Sequence, residues 1–463
     1  MNTLSGSEFF WGTKSRSDER VHIGQTVLLF ALVGASGTHV HYPILLLLVE
    51  SGSRQHIVAV GPLLVLVAAG AINDSRARSG GKAEEMESGG GESRGYREIM
   101  PSKKDKIMAA KTILLLWLLF PLTTAFGFNP NPKLTALAEN TWMILDSTGI
   151  QFDGHTAYSG GTYDRTNHQF LIFGGGHWDG WKNDVLAFDI ATAKWKSMYT
   201  PDPASSYNCG NVNSTTPGML LNSRMPASRH TWDMIDFIDH LGTMIIWSGA
   251  TYSGIWECPG NTLPADTWLY DYRTNKWEYK NKARGPQPAD EGGKGAYDPI
   301  GKLYWSLARD TTYQSELWNY NADTDKWTLV IPKGDIPWGG MMIVDRKRQI
   351  LHAYPDFYDI KANQWSTMTN TPSGLSGGPY DYVASYDEAN DVLVHVSSNG
   401  KVFVYDIARN QWETLSPPGT PSIDGDGTWG RFFYDPVDNV HLFVKPVDYR
   451  ARTWAYRYKG GAL

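Results

Sequence analysis

From roughly residue 138 to residue 460 the chain repeats one alternation of apolar and polar positions: two short apolar runs, a loop, an aromatic-Asp pair, a tight turn and a tryptophan. Apolar runs this short, bounded by turn residues, predict strands and not helices. One copy shows the unit in full. His155–Asp164 ends in Gly-Gly-Thr-Tyr-Asp, Gln169–Gly176 reads Gln-Phe-Leu-Ile-Phe-Gly-Gly-Gly, Asp184–Asp189 reads Asp-Val-Leu-Ala-Phe-Asp, and Trp195 follows a turn through Thr192. Four strands follow from this, joined by turns rich in Asp, Asn, Gly and Thr. Those residues tolerate unusual backbone angles or hydrogen-bond their own backbone.

The order recurs with Tyr270-Asp271 before Trp277, Tyr320-Asn321 before Trp327, Tyr358-Asp359 before Trp365 and Tyr405-Asp406 before Trp412. Most tryptophan spacings sit near the roughly 40–50 residues of one four-stranded propeller blade. The longer step from Trp195 to Trp277 holds an insertion. At the ends, Trp142 follows Glu139-Asn140-Thr141 without strands of its own, and the last copy stops after Thr453–Tyr458. An N-terminal strand around Trp142–Leu145 is therefore expected to complete the final blade, which removes open sheet edges.

Phe173-Gly174-Gly175-Gly176, the aromatic-Asp pairs and the spaced tryptophans together resemble the kelch family of β-propellers. The second copy reads Trp247-Ser248-Gly249, and the third to sixth lack the glycine run. The resemblance implies an all-β, six-bladed kelch-like propeller closed by its N-terminal strand, with seven blades as the alternative. Packing between blades and turn geometry account for most of these Trp, Tyr and Gly residues.

Composition agrees: 41% hydrophobic, 13% aromatic, 19% charged and 47 glycines describe a turn-rich all-β chain. A net charge of −6 with no basic stripe gives no case for nucleic acid.

Residues 1–99 read as an extension outside the native fold, with a Ser-, Gly- and charge-rich stretch over 73–107 that cannot bury enough apolar surface to order. Residues 100–127 read as a signal peptide: Lys103, Lys104, Lys106 and Lys111 precede the apolar run Thr112–Phe120, then Pro121 and small residues. A start at Met100 or Met108 follows. A rival reading uses the apolar segments 26–33 and 57–72 as membrane anchors, although both are short. Residues 128–463 are the propeller, expected to be secreted, monomeric and without a membrane span in its mature form. Cys209 and Cys258 lie in neighbouring excursions and either form one disulfide or remain two thiols. Asn213-Ser214-Thr215 is an N-glycosylation acceptor pattern.

The kelch resemblance implies that innermost-strand starts and the loops between second and third strands share one face, the mouth. The starts contribute His155, Arg229, His230, Trp232, Lys294, Trp338, Tyr380, Trp429 and Arg431; the loops contribute His177, Trp178, Asp179, Asn183, Arg309 and Tyr313. Aromatic faces stack on sugar rings and cations bind carboxylates, so an acidic polysaccharide is the expected partner.

Three readings of the histidines stand. His155, His177 and His230, with Asp179 nearby, could ligate a divalent metal. In a β-eliminating polysaccharide lyase, His or Tyr serves as base and acid while Arg229 or Lys294 neutralises a uronate. Or each histidine serves structure, with Arg229 and Arg431 paired to blade-turn aspartates and Lys294 a solvated rim charge. A copper-radical cofactor is not expected, because both cysteines sit in long insertions and no Tyr-His pair occurs in the propeller. Non-catalytic glycan or protein binding is the alternative function. So is a sugar mutarotase or epimerase using Glu257 or Glu291 with Arg229.

Overall fold

The computed structural model describes residues 32–33, 44–51, 54–60, 128–153, 155, 158–176, 180–213, 216–258, 264–280, 285–286, 293–309, 315–334, 341–375, 382–423 and 430–460. The chain divides into two compact units, Met1–Asp105 and Lys106–Leu463. In the first, Leu32–Val33, Ile44–Ser51 and Arg54–Val60 form a three-stranded antiparallel sheet, so the described start of the second apolar segment is strand. Otherwise the expected extension and signal peptide lie outside the described residues. Among the described residues no helix is long and apolar enough to cross a membrane.

The second unit is a six-bladed propeller of four-stranded antiparallel sheets. Blade 1 comprises Gly160–Asp164, Gln169–Phe173, Leu186–Asp189 and Lys194–Ser197. Blade 2 comprises Ile235–Ile238, Thr243–Trp247, Thr267–Asp271 and Lys276–Lys280. Blade 3 runs through Lys294–Asp298, Leu303–Arg309, Ser315–Asn321 and Lys326–Gly334. Blade 4 runs through Ile343–Asp345, Ile350–Ala353, Asp356–Asp359 and Gln364–Thr367. Blade 5 has Tyr382–Asp387, Val392–Ser397, Val402–Asp406 and Gln411–Leu415. Blade 6 has Phe432–Asp435, Val440–Val447 and Arg450–Arg457, and its fourth strand is Thr141–Gln151 from the start of the fold. The first strand of each blade touches the first strand of the next, and that of blade 6 touches blade 1, so the ring is closed.

Hydrophobicity falls from axis to rim for a geometric reason. Inner and second strands such as Tyr382–Asp387 and Val392–Ser397 are buried along their whole length because neighbouring blades cover both faces, whereas Lys194–Ser197 keeps only Trp195 turned inward. The core accordingly lies between blades: Phe170, Phe188, Phe433 and Leu442 fill the seam between blades 1 and 6, and Leu171, Phe173, Ile235 and Ile246 the seam between blades 1 and 2.

The rim tryptophans pair in register with the third strands. Trp195 faces Phe188, Trp277 faces Tyr270, Trp327 faces Tyr320, Trp365 faces Tyr358, Trp412 faces Tyr405 and Trp142 faces Tyr456. Their ring centroids are 5.1, 5.1, 5.0, 5.3, 4.9 and 4.9 Å apart. Cross-strand aromatic pairs of this kind contribute about 0.2–1 kcal/mol each. The insertion after blade 1 carries the hairpin Val212–Asn213 with Thr216–Leu220, and Cys209 within it is bonded to Cys258 across a Cα–Cα distance of 5.4 Å.

Candidate functional site

The starts of the innermost strands meet at one end of an axial channel of about 130 Å³ lined by all six blades. The segment Ser228–Asp233 leads into blade 2 and crosses that end. It passes between blades 1 and 2 so tightly that three glycines are required. A Cβ on Gly176 would lie 2.3 Å from Arg229 Cα, one on Gly174 2.7 Å from Arg229 O, and one on Gly249 2.0 Å from His230 O. The Gly run of blade 1 and the Ser-Gly of blade 2 thus make room for one backbone segment.

Arg229 is fully buried and its guanidinium is fully engaged. Nη1 lies 2.5 Å from Asp266 Oδ1 and Nη2 3.3 Å from Oδ2, while Nε, Nη1 and Nη2 also donate to the carbonyls of Ala227, Ser248 and Gly218. Its partner precedes the third strand of blade 2 and is not a blade-turn aspartate. His155 is equally enclosed, with Nδ1 2.9 Å from Gly174 O and Nε2 2.8 Å from Asp184 Oδ1. The Gly174 carbonyl can only accept, so Nδ1 faces it as donor, and Nε2 faces the carboxylate. Burial pushes the Asp184 carboxyl up, yet the hydrogen bond and charge of His155 prevail and hold it below the usual range. Asn183 is buried too, its amide spanning Asp202 and Pro226 O.

His230 packs between Tyr158, at 4.3 Å between ring centroids, and Trp232, at 5.7 Å. Trp232 has a backbone φ of +47°, an uncommon conformation for a bulky side chain and one found where structure over-determines a functional or packing position. The turn lets its neighbour reach the axis. Asp233 forms a parallel bridge with Lys294 at the start of blade 3 and accepts from Met342 N of blade 4 at 2.7 Å, and Gly430 of blade 6 presses against both Trp232 and Asp233. Burial drives the Asp233 carboxyl well above the ordinary carboxylate range, against the Met342 hydrogen bond and the charge of Lys294. Lys294 is only 1% exposed, so it is a buried cation and not the solvated rim charge that a strand-start lysine first suggests. Arg431 is buried with its guanidinium 5.2 Å from the centroid of Phe152, and burial works against its charge.

His177, Trp178, Asp179, Tyr313, Trp338, Tyr380, Trp429, Glu291 and the side chain of Arg309 lie outside the described residues. Glu257 is exposed. The described convergence is therefore Tyr158, His230, Trp232, Asp233 and Lys294, while His155, Arg229 and Asn183 sit in separate buried networks.

Sequence reasoning did not single out Asp233 or Asp236. Asp236 accepts from Thr162 Oγ1 at 2.8 Å and from Tyr297 N at 2.6 Å, tying blades 1, 2 and 3 together, and burial raises its carboxyl. The available signal was a carboxylate inside the apolar run Met234-Ile-Asp-Phe-Ile238 of an innermost strand. At the opposite end of the channel, Arg165 pairs with Glu388, and Arg346 reaches Asp239 at 2.6 Å and Glu388 at 3.8 Å. Compared with known proteins, the chain matches no protein-family model and no curated sequence.

Proposed function

We propose that this is a kelch-type propeller working outside the cytoplasm and that its mouth face binds an acidic carbohydrate. The observation that carries this reading is the clustering of aromatic and cationic groups at one end of the axis. Tyr158, His230 and Trp232 cluster there, with Lys294 beside Asp233 at the start of blade 3; Trp178, Tyr313, Trp338, Tyr380 and Trp429 are further aromatic candidates on the sequence alone. Flat aromatic faces suit sugar rings, and a lysine suits a uronate carboxylate. The disulfide supports an oxidising compartment.

A second, catalytic reading is favoured by Asp233, whose carboxyl burial pushes well above the ordinary range at the channel end beside a buried lysine, since perturbed carboxyls cluster at acid–base sites. In a polysaccharide lyase the base removes the proton beside the uronate carboxylate, a carbon–carbon double bond forms, the glycosidic carbon–oxygen bond breaks, and the acid protonates the departing oxygen. His230 and Asp233 would take the two proton-transfer roles and Lys294 the carboxylate. Arg229 is withdrawn from this scheme because Asp266 already holds it.

The test is to incubate the protein with a panel of uronic-acid polysaccharides, with and without a chelator, while measuring both binding and the absorbance of the unsaturated sugar. Binding that Lys294→Met weakens at least ten-fold, without new absorbance, supports the binder. Absorbance abolished by His230→Ala supports the lyase. No binding to any member of the panel refutes both.

A further inference from the structure

We infer that the seam between blade 6 and blade 1 holds a divalent metal site made by His168, Asp435 and Asp438, which take zinc or a cation of similar preference. These three offer ligand atoms that all lie within 4.8 Å of one another. Their side chains are 2%, 0% and 0% exposed, so this is an enclosed site and not a surface cluster of acids.

The distances suit a cation at the centre. His168 Nε2 lies 3.1 Å from Asp435 Oδ2 and 3.6 Å from Asp438 Oδ2. Ligands around a tetrahedral zinc with bonds of about 2.0–2.1 Å stand roughly 3.3 Å apart. A single N–H can serve the nearer carboxylate only, since 3.6 Å is beyond a hydrogen bond. A metal ion serves both at once. Nε2 is the ring nitrogen that faces both carboxylates and is the atom that would bind the metal. Metal binding would require both carboxylates ionised and the imidazole neutral, and the two negative charges of that state in a sealed space would be cancelled by one divalent cation. One imidazole and two carboxylates form a mixed nitrogen–oxygen donor set, which suits zinc or manganese better than calcium.

The surrounding contacts give such a site its consequence. Asp435 Oδ1 accepts from Tyr163 of blade 1 at 2.8 Å and from Val437 N at 2.9 Å. Asp438 accepts the backbone N–H of Asn131, at 3.0 and 3.2 Å, from the segment that leads into the closing strand. Asn131 Nδ2 in turn donates to Ile190 O of blade 1 at 2.6 Å. A cation here would bind together the first blade, the last blade and the chain start, so its affinity would add to the stability of the closed ring.

The experiment is equilibrium dialysis of the full chain against zinc after chelator treatment, with metal analysis, alongside thermal unfolding in zinc or EDTA. One equivalent of zinc and a higher unfolding temperature are expected, with affinity falling ten-fold or more in His168→Gln and in Asp438→Asn. The asparagine keeps an acceptor for Asn131 N–H, which guards the fold of that variant, and far-ultraviolet circular dichroism checks both. His240→Gln, at a partly buried imidazole that pairs with Tyr297 and Asp323 away from the seam, is expected to leave zinc binding unchanged. Absence of bound zinc, zinc binding unaltered in both seam variants, or tighter binding of calcium than of zinc would each overturn the inference.

Discussion

The hydroxyl of Tyr456 donates to Asn140 Oδ1 at 3.0 Å across 316 residues of sequence. In every other blade whose third strand carries this tyrosine, the equivalent bond spans five residues: Tyr270 to Asn275, Tyr320 to Asp325, Tyr358 to Asn363 and Tyr405 to Asn410, at 2.6, 2.9, 2.5 and 2.9 Å. Each acceptor has a left-handed backbone, which Asn and Asp tolerate. Blade 1 has Phe188 in place of the tyrosine and Ala193 in place of the acceptor, so both partners are absent together.

Because the Tyr456–Asn140 bond spans the closure, Tyr456→Phe is expected to destabilise the propeller by about 1 kcal/mol. Amide exchange of Thr141–Leu145 should accelerate more than that of the other outer strands. Equal acceleration in all six blades would show that the bond has no special part in closure.

Arg229→Met should unfold the protein more readily by roughly 3–5 kcal/mol, because Asp266 is left as an unpaired buried charge. Chemical denaturation measures this directly. A variant as stable as the parent would return Arg229 to the pool of functional cations.

Gly249→Ala is expected to be severely destabilising, since φ is +97° and the added carbon would meet His230 O at 2.0 Å. Gly400→Ala, also at positive φ but with open space around it, should be milder. The two melting temperatures, compared side by side, separate the close approach from the backbone term.

Acid should destabilise the fold through His352 and His395. Burial lowers the first to about 4 and the second to about 3, and His395 is enclosed by the rings of Tyr354, Tyr382 and Trp412. Unfolded imidazoles take up protons below about pH 6.5. Between there and about pH 4 the unfolded chain binds more protons than the folded one, so stability falls as pH falls, by about 1 kcal/mol per pH unit for each histidine. Above pH 7 neither state binds the proton and this contribution is flat. Denaturation midpoints of the parent and His395→Phe across pH 4–8 check it, with a shallower acid slope expected in the variant.

Replacing Cys209 and Cys258 by serine should lower stability by about 2–4 kcal/mol, the range for releasing a loop of 49 residues. A melting temperature unchanged by the double replacement would show that the insertion contributes nothing to the cooperative fold.

Blade number, strand order and the closing strand were all legible in the sequence, because each blade repeats the same short-range rules: an apolar run buried on both sides, an Asx turn, an aromatic pair at the rim. The pairing of Cys209 with Cys258 was legible only as one of two outcomes. The state of the cations and imidazoles could not be read at all from their positions in the chain. Arg229 and His230 are adjacent, yet one is locked onto Asp266 and the other stacks beside Tyr158, and Lys294, readable from sequence either as a ligand-binding cation or as a solvated rim charge, is enclosed by the fold. Local pattern determines which residues become strands and turns, since backbone geometry and alternation act over a few residues. Whether a charged side chain is spent within the fold or left for a ligand depends on partners hundreds of residues away, and only the closed ring brings those partners together.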